Sequence, residues 1–90
     1  MHPADFRLFV DRLDHIPFSN DKVNFILGRQ YDRFSAGQVR IILDHLDYDS
    51  DRVRVACSLY RSVVDRHNWG HVIDGLDYQS SRDEVYRCSR

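Results

Sequence analysis

Nowhere in this chain do apolar residues run on for anything like the ~20 positions a membrane-crossing helix needs, so membrane insertion is not expected. Charge of one sign is lacking too: Lys and Arg number 13 and Asp and Glu 14, for a formal net charge of −1. That balance leaves no global field to draw in nucleic acid or an anionic membrane, and the two signs are interspersed as on an ordinary solvated surface. Cysteine is scarce. Cys57 and Cys88 make no CxxC or other metal spacing and are too few for a disulfide framework. Both read as reduced, half-buried helix residues, with a single Cys57–Cys88 bridge as the alternative. The start, Met1-His2-Pro3-Ala4-Asp5, has neither the basic region nor the apolar stretch of a signal peptide; the expectation is a soluble, intracellular chain. No segment alternates like a strand, and no low-complexity linker divides the sequence.

What the chain does have is a repeat. Asp14, Asp44 and Asp74 stand thirty residues apart, as do Phe18, Tyr48 and Tyr78, and Lys22, Arg52 and Arg82. Leu13/Leu43/Ile73, Ile16/Leu46/Leu76 and Asn20/Ser50/Ser80 match chemically between them. A period in this range signals one supersecondary unit used several times, each copy burying the apolar face of its neighbour. With 90 residues and 42% hydrophobic content, the chain fits one domain with a packed core and modest reserve.

Each unit divides into two helical halves. Asp5, Ser35 and Asp65 are good N-caps for the first halves, and Ser35-Ala-Gly-Gln38 has capping-box spacing. Behind them Phe6, Phe9, Val10 and Leu13, then Val39, Ile42, Leu43 and Leu46, then Trp69, Val72, Ile73 and Leu76 follow helical spacing. The second halves start at a turn carrying Pro17, Asp47 or Asp77, with Asn20, Ser50 and Ser80 as caps. Their apolar residues are Val23, Ile26 and Leu27, then Val53, Ala56, Cys57, Tyr60, Val63 and Val64. The last copy is polar on its outer face, as a stack of repeats needs in order to end in water. Six helices are predicted, at about 4–15, 20–31, 36–46, 51–64, 67–76 and 81–88, with Gly70 allowing close packing in the fifth. The fold class is all-α, three helix-pair repeats of thirty residues (units 5–34, 35–64 and 65–90) in one domain.

Candidate chemistry is thin. Asp47-Tyr-Asp49-Ser-Asp51 resembles the opening of a calcium loop, but Arg52 and Ser58 stand where that loop needs Gly and a bidentate Glu; helix capping and a charged turn are preferred. His67 and His71 have the i, i+4 spacing of a metal pair without the Glu of a zinc protease, so a solvated face is preferred and metal binding is the alternative. His15 and His45 close the first helix of their units, where an imidazolium suits the dipole. Asp14, Asp44 and Asp74 sit at the unfavourable end of that dipole, which predicts pairing with Lys22, Arg52 and Arg82 or with the amides of the next helix start. Tyr48 and Tyr78 with Arg52, Arg54, Arg61 and Arg66 have the ingredients of a single-strand platform, but the aspartates among them favour core packing of the aromatics at the turns. No nucleophile and base can be assembled.

From Phe18 onward the residues Phe18-Ser19-Asn20-Asp21-Lys22, Ser35-Ala-Gly-Gln38-Val39, Leu46-Asp-Tyr48-Asp-Ser50-Asp51-Arg52, Ala56, Leu59-Tyr60, Val63-Val64-Asp65 and Asp77-Tyr78-Gln-Ser80 recur in order. In these the chain resembles a family of small all-helical domains of unknown function, found in bacterial envelope-associated and animal proteins. The resemblance implies a compact helical module with no known activity, cofactor or catalytic residue. The expectation for function is a non-enzymatic interaction or scaffolding module with a protein partner, without metal, cofactor or nucleic acid; a metal- or small-ligand-binding helical domain is the alternative.

Overall fold

The computed structural model describes residues 1–90 and is all-α: α1 (Pro3–Asp14), α2 (Ser19–Leu27), α3 (Ala36–Asp44), α4 (Asp49–Leu59), α5 (Gly70–Ile73) and α6 (Gln79–Cys88). Short 3-10 turns at Tyr60–Ser62 and Arg66–Asn68 replace the end of the fourth predicted helix and the start of the fifth. Val63 then runs extended, and Phe34 pairs with this segment through a single parallel rung, its amide donating to Ser62 O and its carbonyl accepting from Val64 N.

Helix starts follow the caps only in part. Ser35 accepts from the Gln38 amide and the Gln38 side chain accepts from Ser35 N, the expected capping box. Asp65 precedes a 3-10 turn rather than a long helix and makes no side-chain cap bond to it; its carboxylate instead accepts from Ala36 N at the start of α3. The second halves begin one residue before the predicted caps. Phe18, Tyr48 and Tyr78, in extended conformation and without side-chain cap bonds, precede α2, α4 and α6. These three aromatics are 69%, 59% and 65% exposed, which corrects the reading of Tyr48 and Tyr78 as core packing.

The core joins Phe6, Phe9 and Leu13 of α1, Val23 and Ile26 of α2, the α3 stripe through Leu46, Val55, Ala56 and Leu59 of α4, and Trp69, Val72, Ile73, Leu76 and Val85. The stripes of α3 and α5 are those predicted. The α4 face is rotated from the predicted Val53, Cys57 and Tyr60 toward Val55 and Leu59, because α4 packs against α2, α3 and α6 at once; a helix enclosed by three neighbours has no single amphipathic stripe to read. Val64, predicted inside, is exposed. Phe34 is fully buried although it lies outside every helix; it precedes the Ser35 cap, the position from which a hydrophobic staple reaches Val39.

Glycines also divide. A Cβ on Gly70 would meet nothing within 4 Å, so Gly70 does not serve close packing. On Gly75 it would lie 2.8 Å from Arg40 Cδ. Gly75 stands where the earlier units carry His15 and His45, and leaving that space open lets Arg40 reach His71 O at 3.0 Å.

Cys57 and Cys88 form a disulfide, with Cα atoms 5.6 Å apart. This overturns the reduced reading. The separation of 31 is one more than the sequence period, so stacking of α6 beside α4 brings the two sulfurs together. Closing a loop of this length contributes about 3–4 kcal/mol in the chain-entropy picture.

Candidate functional site

Polar contacts between units recur at separations close to the period. Asp14 Oδ1 lies 2.5 Å from His45 Nδ1, Arg40 donates to His71 O, Asp65 takes the Ala36 amide at 2.7 Å, and Ser62 Oγ donates to Gln30 O. At the start of α4 the Asp49 carboxylate accepts from the Asp77 and Tyr78 amides at 3.1 and 3.2 Å. Its side chain is only 8% exposed. Burial pushes the Asp49 carboxyl up, but hydrogen bonds from Ser81, the Asp77 and Tyr78 amides and Arg52 outweigh it and hold it below its ordinary value. Asp65 is likewise lowered, by hydrogen bonds from Asn68 and the Ala36 amide.

The cations do not pair with the repeated aspartates as expected. Arg52 donates to Leu43 O at 3.1 Å and Leu46 O at 2.6 Å, and bridges Asp49 and Asp77 at 3.3 and 2.9 Å. Lys22 Nζ reaches His45 O at 3.5 Å. Both satisfy carbonyls at the end of α3, which carry the negative end of its dipole and need donors more than a distant Asp needs a cation. Asp14 instead meets His45, Asp44 meets Arg40 within its own helix at 3.3 Å, and Asp74 has no ion pair. His15 donates to or accepts from nothing beyond its own helix, where Nδ1 lies 2.7 Å from Asp11 O.

Asp47, Asp49 and Asp51 do not form a calcium loop: Asp49 and Asp51 lie in the first turn of α4, and Asp49 is committed to the amides of the next turn. His67 sits in the second 3-10 turn and His71 in α5, so one continuous helix does not present them at i, i+4 spacing. No group of three His, Cys, Asp or Glu side chains converges on a point. Of the four arginines considered for a basic face, Arg52 is absorbed into the α3–α4–α6 junction, whereas Arg61 and Arg66 reach a common cleft.

That cleft, of about 870 Å3, lies beside the disulfide and carries Arg33, Arg61, Arg66 and Arg90 with Tyr31 and Tyr60. Arg66 lies 4.8 Å over the Tyr60 ring, which in turn meets Trp69 edge-on at 4.9 Å. Sequence reading missed Arg33 and Arg90 because each lies far in sequence from Arg61 and Arg66. The molecule thus has two aromatic ends. Phe18, Tyr48 and Tyr78 stand among aspartates where α2, α4 and α6 begin, and Tyr31 and Tyr60 stand among arginines where α2 and α4 finish. Asp21, Asp49 and Asp51 lie in the first turns of α2 and α4, where the helix dipoles favour carboxylates.

Fold and surface define a small all-α domain with a cystine between its fourth and sixth helices. The chain belongs to the family described as "Domain of unknown function (DUF4476)", whose profile matches residues 1–88. No curated protein and no solved structure matches it. No helix is long and apolar enough to cross a membrane.

Proposed function

We propose that the domain is a non-enzymatic protein-interaction module built from three stacked helix-pair units, 5–34, 35–64 and 65–90. The stacking is supported by the inter-unit contacts near thirty residues' separation and by the like conformation of Phe18, Tyr48 and Tyr78 before α2, α4 and α6. The observation that carries the functional reading is the exposure of those three aromatics. The core is already complete without them, and Tyr and Phe held open at fixed turns are the residues that anchor protein interfaces. The cystine favours an oxidising compartment, so the partner is sought outside the reducing cytosol; nucleic acid is not the expected partner.

The test is a triple substitution, F18A/Y48A/Y78A. It is expected to leave the melting temperature nearly unchanged, because the side chains are exposed, and to abolish retention of the partner on the immobilised, oxidised domain. A variant that still retains the partner as well as wild type, or turnover of a substrate by the wild-type domain, would remove this reading.

A further inference from the structure

We propose that the arginine-lined cleft is the docking groove for an acidic, extended segment of a partner protein. The inference rests on the interaction-module reading and specifies the chemistry of one surface of it. A second depression of about 750 Å3 adjoins the first, sharing Tyr60, Arg66 and Arg90 and adding Arg87, Trp69 and Tyr86. Together they make an open trough rather than an enclosed pocket for a small molecule.

Five guanidinium groups, of Arg33, Arg61, Arg66, Arg87 and Arg90, line this trough, and none has a carboxylate within ion-pair distance. Of the acids on its walls, Asp32 is paired with Arg29, and Asp83 accepts from the neutral Gln79 amide and keeps its charge. Arg61 follows α4 and Arg87 lies in the last turn of α6, where helix dipoles favour a cation. Five arginines against the one wall carboxylate that has no ion pair, Asp83, leave the trough net positive, and an anionic occupant relieves that repulsion. The cations are all arginine, whose planar fork matches carboxylates bidentately.

Two further groups suit a peptide. Trp69 and Tyr86 wall the second depression with aromatic surface, and the Trp69 indole N–H, buried without an acceptor in the chain, reports on changes there. Along the first, Val63 is extended, and its carbonyl makes no hydrogen bond within the chain. A free carbonyl on an extended segment can accept from the backbone of a docked peptide.

The probe is a fluorescein-labelled peptide alternating Glu with Gly, titrated into the oxidised domain by anisotropy while the Trp69 indole N–H resonance is followed. Binding that weakens steeply with salt, shifts that resonance and falls at least about tenfold in R61E/R66E, while R54E outside the trough leaves it unchanged, is the expected result. Equal loss in R54E and R61E/R66E would reduce it to nonspecific charge attraction and overturn the proposal. So would a sulfated oligosaccharide or a single-stranded oligonucleotide that binds through these arginines when the peptide does not. A partner lost from F18A/Y48A/Y78A but indifferent to R61E/R66E overturns the groove while leaving the interaction-module reading intact.

Discussion

The two ends of the helical array are held by different means. At the N-terminal end, α1 buries Phe6, Phe9 and Leu13, and Phe9 stacks on Phe25 at 5.0 Å and tilts against Phe34 at 6.4 Å. At the C-terminal end, α6 buries only Ser81 and Val85. It is secured instead by the disulfide to α4 and by Asp49, which holds the amides just before it. The covalent tie sits where apolar burial is thinnest. In a domain this small, where one hydrophobic core leaves little reserve, a cross-link substitutes for surface that a terminal helix cannot bury.

Four experiments test that contrast. Phe9→Ala should have the largest effect, about 3–5 kcal/mol of lost stability, read as a fall in the denaturation midpoint that is the same in oxidised and reduced protein. C57S/C88S should cost about 3–4 kcal/mol. Hydrogen exchange should then show α6 amides losing protection before those of α1 and α2, and uniform loss across all helices would contradict the contrast.

Asp49→Asn should cost about 1–2 kcal/mol, as expected for hydrogen bonds to a charged group, and should alter the acid limb of stability. The native carboxyl lies below its ordinary 3.8, so its contribution is fully present above that value. It is lost as pH falls through the lower native value. Stability measured from pH 6 downward should therefore drop less steeply in the variant than in wild type. The smallest effects are expected at the glycines. Gly70→Ala should be neutral or stabilising by up to ~1 kcal/mol because nothing opposes its Cβ. Gly75→Ala should destabilise, since its Cβ displaces Arg40 from His71 O. A reversed order of the two would show that Arg40 yields without cost.

Much of the helical plan was legible from local signals. The stripes of α3 and α5, the Ser35–Gln38 box and the polar last helix follow from spacing and capping chemistry that act within a few residues. Where reading failed, partners from distant units intervened. Phe18, Tyr48 and Tyr78 look like core residues by type, yet each precedes a helix at the surface; Lys22 and Arg52 seek carbonyls of α3 rather than the aspartates beside them in the pattern. The cystine was a bare alternative because two cysteines say nothing of their distance until α4 and α6 are neighbours. Of the candidate cleft, Arg61 and Arg66 stood out as basic residues, but Arg33 and Arg90 join them only through tertiary packing.

Helical content, the thirty-residue period and most buried positions were dictated by the order of residues alone, since hydrophobic spacing and backbone capping are short-range effects. Which sulfurs bond, which aromatics stay in water and where unpaired arginines collect were settled by assembly of the helices. Those properties depend on what lies across an interface, and no single stretch of chain carries that information.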